Sequence, residues 1–234
     1  MDVSLCLDAA RPWPDLLSLA RHADESGLHA VYVPDHFGGY QEAWTLLSAV
    51  AASTEQIRLG TLVLGVTHRP VSVLREMART LHAVSDGRLV LGIGAAWDEA
   101  EHQALSLPFP PASERLDLLD SAASQLADCG PPLLVGGGGE RRTMPIAARY
   151  AAIWHAWADP GDFERKCAVM DRLCLDADRD LPAIRRATGA VLVGEDDPAA
   201  IVAAYAGAGA DEFIVRDHRE ASVAESLAAA SRVL

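Results

Sequence analysis

Several signatures are missing from the 234-residue chain, and each absence removes a class of function. No stretch of about 18 uninterrupted apolar residues exists, so no membrane-spanning helix is expected. The start, Met1-Asp2-Val3-Ser4-Leu5, has no basic flank and reads as the beginning of a strand, so no export signal is expected. Cys6, Cys129, Cys167 and Cys174 form no C-x-x-C. Cys167 and Cys174 fall two turns apart on one expected helix, roughly 10 Å, too far to bridge. Unpaired thiols fit a reducing cytoplasm, the expected location. Zinc-type ligand spacing is absent, as is a G-x-S-x-G elbow, and no cysteine stands beside a His at a strand end. Neither a metal centre nor covalent hydrolysis is therefore expected. G-x-G-x-x-G and Gly-Lys-Ser/Thr are also missing, which sets aside the Rossmann fingerprint and the Walker loop. Positive charge is short: 20 Lys and Arg against 33 Asp and Glu give −13, which argues against nucleic acid as a partner. An anionic ligand must then find a local patch of arginine and backbone N–H.

One stretch offers such a patch. Pro131-Pro132-Leu133-Leu134-Val135 reads as a short buried strand, and it runs into Gly136-Gly137-Gly138-Gly139. No side chain crowds a ligand there, and each glycine presents a backbone N–H. Arg141 and Arg142 follow, then an apolar periodic run from Met144 to Tyr150, a helix whose N-terminus points back at the glycines. A flexible turn is the bland alternative. Strand, glycines, arginines and helix N-terminus together make an anion site.

Half the residues are apolar, enough for a substantial core, and the pattern alternates short strands with amphipathic helices. Expected strands are Val3–Leu7, Ala30–Pro34, Ile57–Leu64, Arg88–Ile93, the stretch before the glycines, Ala152–Trp157, Thr188–Val193 and Glu212–Val215. Helices are expected over Pro12 to Gly27, Glu42 to Ser53, from Pro70, over one or two segments from Asp98 to Cys129 broken near Pro108, and over Gly161 to Ala177. Asp196-Asp197-Pro198 caps a further helix, and Ala221–Leu234 is the last. Eight repeats of strand and helix without a linker predict a single (β/α)8 barrel, a TIM barrel, over residues 1–234. An open doubly wound sheet is the alternative, but Asp8-Ala9-Ala10-Arg11 after the first strand carries no glycine fingerprint.

Barrel active sites lie just beyond the strands' carboxyl ends. Asp35-His36 follows the second strand; an imidazole there can hydrogen-bond, carry a proton near neutral pH or hold a ring system. Asp35 either orients it or bonds backbone. His68 and Arg69 follow the third strand toward the same rim. Gly94-Ala95-Ala96-Trp97 after the fourth clears a flat space beside an indole, suited to a planar ligand, although glycines for tight packing and a core Trp fit equally. Glu99 and Glu101 read as helix N-terminal charges. In the sixth strand, alternation puts His155 and Trp157 on one face and Trp154 and Ala156 on the other, without saying which face is inside.

With these residues in place, the chain resembles the bacterial luciferase-like superfamily of flavin- and deazaflavin-dependent oxidoreductases, in its short coenzyme F420-dependent branch. The likeness is carried by Glu25 to His36, Ile57-Arg58-Leu59-Gly60-Thr61, Ser85-Asp86-Gly87-Arg88 on to Trp97, Pro132 to Thr143, and Ala147-Ala148-Arg149-Tyr150. It implies a barrel holding a deazaflavin or isoalloxazine ring at the strand ends, with His36 beside the ring. It also implies a non-proline cis bond at Leu62–Val63 behind the ring. Gly136 to Gly139 match the backbone that holds the cofactor phosphate, with Arg141 or Arg142 as charge partner. On this resemblance Asp35, Gly94 and Ala95 join the cofactor site, Trp97 walls the substrate side, and a homodimer is expected. Departures include Ala152-Ile153 in place of Asp-Gly, a shortened excursion between the fourth and fifth strands, and Trp97 where sugar-phosphate dehydrogenase relatives have Glu, which argues against sugar-phosphate oxidation. The expected function is hydride transfer between F420 and a small organic substrate. An FMN-dependent monooxygenase is the alternative, and a non-catalytic flavin-binding barrel a further one.

Overall fold

The computed structural model describes residues 1–180, 182, 184–192 and 197–217. Among them, nine strand segments are all parallel: β1 (Asp2–Cys6), β2 (Ala30–Val33), β3 (Arg58–Thr61), β4 (Leu64–Gly65), β5 (Leu89–Gly94), β6 (Leu133–Gly136), β7 (Ile153–His155), β8 (Arg185–Leu192) and β9 (Glu212–Asp217). They alternate with α1 (Trp13–Glu25), α2 (Ala43–Ala51), α3 (Val71–Val84), α4 (Glu99–Ala104), α5 (Ala112–Leu126), α6 (Thr143–Tyr150), α7 (Pro160–Asp176) and α8 (Pro198–Gly207). The sheet runs β3-β2-β1-β9-β8-β7-β6-β5-β4, and a β3–β5 pairing closes it. The protein is thus an eight-stranded parallel barrel inside a ring of helices, with β3 and β4 as two parts of one barrel strand.

The boundaries follow local chemistry. Pro12 opens α1, and Gly27 ends its exit turn at φ 73°, a left-handed conformation that glycine adopts without a Cβ clash. Asp159 accepts the Asp162 N–H at the start of α7, with Pro160 in the first helical position. The segment after β5 is two helices, α4 and α5, separated by the proline-rich stretch, as the prolines predict. The third expected strand, Ile57–Leu64, is interrupted: the Leu62–Val63 peptide is cis, and pairing with β5 resumes at Leu64 opposite Ile93. Val193, Asp196 and the helix expected over Ala221–Leu234 lie outside the described residues. The four cysteines are free and buried.

Two apolar layers hold the barrel. The outer one lies between strands and helices and includes Leu16, Leu47, Leu91, Trp154 and Phe163. Burying each such side chain contributes about 1.5–3 kcal/mol. The inner one fills the barrel with Cys6, Ala30, Tyr32, Val90, Leu134, Ile153, Ala187 and Ile214. Tyr32 lies over Gly60, where a Cβ would come within 2.3 Å of its ring. Its hydroxyl donates to buried Glu212 at 3.0 Å, and Ser4 donates to the same oxygen at 2.6 Å. This polar knot sits at the amino end of β9, so the interior is filled from below, and a cavity opens at the strands' carboxyl ends.

Candidate active site

A cavity of about 590 Å³ occupies that open end. Every barrel strand that contributes to it does so from its carboxyl end, the position where a βα-loop can vary without unsettling the barrel. Asp35, His36, Leu62, Val63, Gly94, Ala95, Trp97 and Gly136 to Gly138 all line it. The structure therefore brings together most of the residues singled out in the sequence. Three lie elsewhere. Arg142 is exposed and donates to Asp117 at 2.5 Å, Arg141 is exposed, and Gly139 is exposed beside Thr143 at the edge of the cavity. The arginines thus leave the glycine loop without a guanidinium aimed into the cavity.

The glycines that end β5 and β6 clear space for a neighbour in the barrel. A Cβ on Gly94 would meet Val63 Cγ2 at 2.6 Å, and one on Gly136 would meet Val63 Cγ1 at 2.9 Å. The isopropyl group of Val63 therefore projects into the room both glycines leave, and it forms an apolar surface in the cavity. Beyond it, Ala96 takes φ 57°, and the turn carries Trp97 to the rim, 73% exposed. The Trp97 ring stands edge-on to His36, with centroids 5.8 Å apart.

His36 is set by contacts that local sequence did not reveal. Its Nδ1 lies 3.5 Å from Glu101, whose carboxylate also accepts the Phe37 N–H at 2.5 Å. Glu101 thus does more than charge a helix start: it pins the segment that carries His36. Asp35 turns away from His36. It accepts from His68 Nδ1 at 2.8 Å, from the Arg69 guanidinium at 2.9 and 3.1 Å, and from the Gly65 N–H at 3.1 Å. Burial pushes the Asp35 carboxyl up, but these donors outweigh it and hold the group below the usual carboxylate range. His68 and Arg69, expected at the same rim, are there as partners of Asp35, the imidazole buried and the guanidinium half-buried.

Strand β7 settles its own face: Trp154 packs outward, stacked on Phe163 at 5.6 Å, while His155 and Trp157 line the cavity. His155 is buried, and burial holds its imidazole down to about 3, so it is neutral. Its Nε2 has no hydrogen-bond partner. A buried orphan polar atom in a cavity wall is a site awaiting a partner. The sequence signal was the alternation in Trp154-His155-Ala156-Trp157, which gave the period but not its phase.

The glycine loop is held from outside. Gly137, at φ 135°, donates its N–H to the His155 carbonyl at 2.8 Å, so that amide is committed to the barrel. Its carbonyl accepts from the Trp154 indole at 3.0 Å, and the Gly138 carbonyl accepts from Lys166 at 3.1 Å. Lys166 is the chain's single lysine and comes from α7. In a trans peptide the N–H points opposite to the C=O. Fixing both carbonyls on the α7 side turns the N–H groups of Gly138 and Gly139 the other way, and Thr143 at the head of α6 lines the cavity close by. No group of three or more metal-ligating side chains occurs among the described residues, and no described helix is long and apolar enough to cross a membrane.

The profile of the luciferase-like monooxygenase family matches residues 3–122. An F420-dependent glucose-6-phosphate dehydrogenase of Beutenbergia cavernae is 37% identical over 111 residues, 43% of this chain and 32% of the relative. The chain spans about a third of the length of the dehydrogenases it matches in this way. An F420-dependent secondary alcohol dehydrogenase, solved with an F420-acetone adduct, superposes with a TM-score of 0.86 at 14% identity, covering 98% of this chain and 97% of the other. A riboflavin lyase with modified FMN and riboflavin gives 0.84 at 11% identity, covering 100% and 91%. These structures share the fold. From the profile match over more than half its length, the chain belongs to the luciferase-like monooxygenase family of barrel oxidoreductases.

Proposed function

We propose that the protein binds a planar redox cofactor, coenzyme F420, across the mouth of the barrel and uses it to move a hydride to or from a small organic substrate. The observation that carries this reading is the cavity itself: about 590 Å³, one apolar wall formed by Val63, a buried neutral His155 with a free Nε2, and a glycine loop whose amides are turned by outside anchors. The residues fit the group. An aromatic heterocycle matches a slot between Val63 and Trp97 and presents polar edges that His155 can meet. A phosphate matches two free amides beside a helix N-terminus. The dehydrogenase relatives use F420 by name, which favours it over FMN.

The cofactor supplies the hydride chemistry when bound; the chain supplies binding, orientation and exclusion of water. Val63 presents an apolar face to the ring. His36, steadied by Glu101, stands where it can give or take a proton at the substrate's reacting oxygen. Trp97 covers the outer side. The paired charges Asp35 and Arg69 hold the two loops that carry His36 and His68 at one spacing.

Titration of the protein with F420 and with FMN, followed by fluorescence quenching, tests the reading. Tight F420 binding is expected. Tight FMN binding with no F420 binding would replace hydride transfer with the monooxygenase reading, and turnover with any substrate would dispose of a non-catalytic role.

A further inference from the structure

Arg216, in β9, has no place in the scheme above. Its side chain lines the main cavity and also a second one of about 610 Å³ beside it. The two cavities share His36, Trp97, Asp98 and Glu101. The second is walled by Phe37, Tyr40, Trp97 and Leu105, so its surface is largely aromatic and apolar.

Among the described residues, no carboxylate on either cavity wall pairs with Arg216. Its Nε is buried without a hydrogen-bond partner. The carboxylates on the same walls are engaged elsewhere: Glu101 with the Phe37 N–H and His36, and Asp98 with the Glu101 N–H at 3.0 Å, where it caps α4. Asp35 is taken by His68 and Arg69. Cys6 lies on the main cavity wall, but burial pushes its thiol up to about 12, so it carries no negative charge to offer. A guanidinium with a desolvated, unpaired Nε in an apolar pocket is satisfied by a planar anion that can take two of its N–H groups at once.

We propose that the second cavity is the substrate's, that the substrate is an organic acid with an apolar or aromatic body, and that Arg216 receives its carboxylate side-on through Nε and a terminal amino group. This rests on the redox reading, because the shared wall of His36 and Trp97 is where substrate and ring would meet. The aromatic wall takes the body of the acid, and Arg216 fixes which end enters. Arg216 is then a specificity-determining residue, separate from the hydride step.

The test is calorimetric titration with 3-phenylpropionate and with its uncharged amide, 3-phenylpropionamide, on protein saturated with the cofactor it binds and on cofactor-free protein. The acid should bind at least about tenfold tighter than the amide on both. Arg216→Gln should erase that preference while leaving amide affinity within about twofold, and Arg216→Lys should keep part of it. Equal binding of acid and amide to the wild type would overturn the proposal, as would an undiminished preference in Arg216→Gln. Loss of acid binding when cofactor is loaded would also overturn it, by assigning Arg216 to the cofactor's acidic tail, and would leave the redox reading standing. If neither F420 nor FMN binds, the redox reading fails, and the acid preference of the bare protein still decides whether Arg216 is an anion site.

Discussion

Asp35 shows how one buried carboxylate can hold two loops of the mouth. It has no exposed surface and answers both Arg69 and His68. Removing its charge leaves the partially buried guanidinium without its main partner. Asp35→Asn should therefore destabilise the fold by about 3 kcal/mol, measured by urea unfolding at neutral pH, since breaking a buried pair by deleting one member costs that much. The sign with pH is fixed by the depressed folded value. The Asp35 contribution is complete above the unfolded carboxylate range and is lost as pH falls through the folded value below it. His155 behaves differently. Folded, it stays neutral down to about 3, whereas unfolded it takes a proton near the ordinary imidazole value of about 6.5. Its effect is to remove stability progressively as pH drops from about 6.5 toward 3, at up to about 1.4 kcal/mol per unit. His29, which burial also holds low, adds to the loss in the upper part of that window. His155→Leu should flatten the fall in unfolding free energy between pH 7 and pH 5. An unchanged slope would show that His155 takes up its proton alike in the folded and unfolded states.

At the scale of elements, the glycine loop depends on a helix that is distant in sequence. Lys166 of α7 and Trp154 of β7 hold successive carbonyls, and the loop's free amides face away from them as a result. Lys166→Met should weaken F420 binding by about tenfold, about 1.4 kcal/mol, while the deazaflavin stripped of its phosphate tail changes by less than about twofold. A general loosening of the site would weaken both equally, so the ratio of the two affinities is the quantity to read. This arrangement also shows where sequence reasoning stopped. The strand, the glycine loop and the helix after it were legible, because an apolar run that enters four glycines marks where a strand ends. The basic side chain that holds the loop was not. Arg141 and Arg142 were the obvious choices by proximity in sequence, yet Arg142 is drawn to Asp117 on α5, and Lys166, on the adjoining helix, reaches the loop instead. Likewise Glu101 looked like a helix N-terminal charge. Its contact with the Phe37 N–H joins residues 64 positions apart and leaves no local trace.

For the whole molecule, the alternation of strand and helix was readable because it repeats and because apolar runs of strand length are separated by capped amphipathic helices. The barrel closure followed from the count and the right-handed crossover. Two features escaped. The interruption of one barrel strand at Leu62–Val63 could be expected from resemblance alone, since no propensity marks it. The inward face of β7 was undecided because alternation carries no phase. What closure adds is a mouth at the strands' carboxyl ends: the Tyr32–Ser4–Glu212 knot fills the interior below, and Val63, His36, His155 and the glycine loop converge above it.

The most direct measurement is a crystal structure of the protein with F420 bound. The ring should lie in the mouth between Val63 and Trp97, one polar edge within hydrogen-bond distance of His155 Nε2, and the phosphate on the N–H groups of Gly138 and Gly139. A ring found outside this cavity, or a phosphate held away from those two amides, would contradict the account.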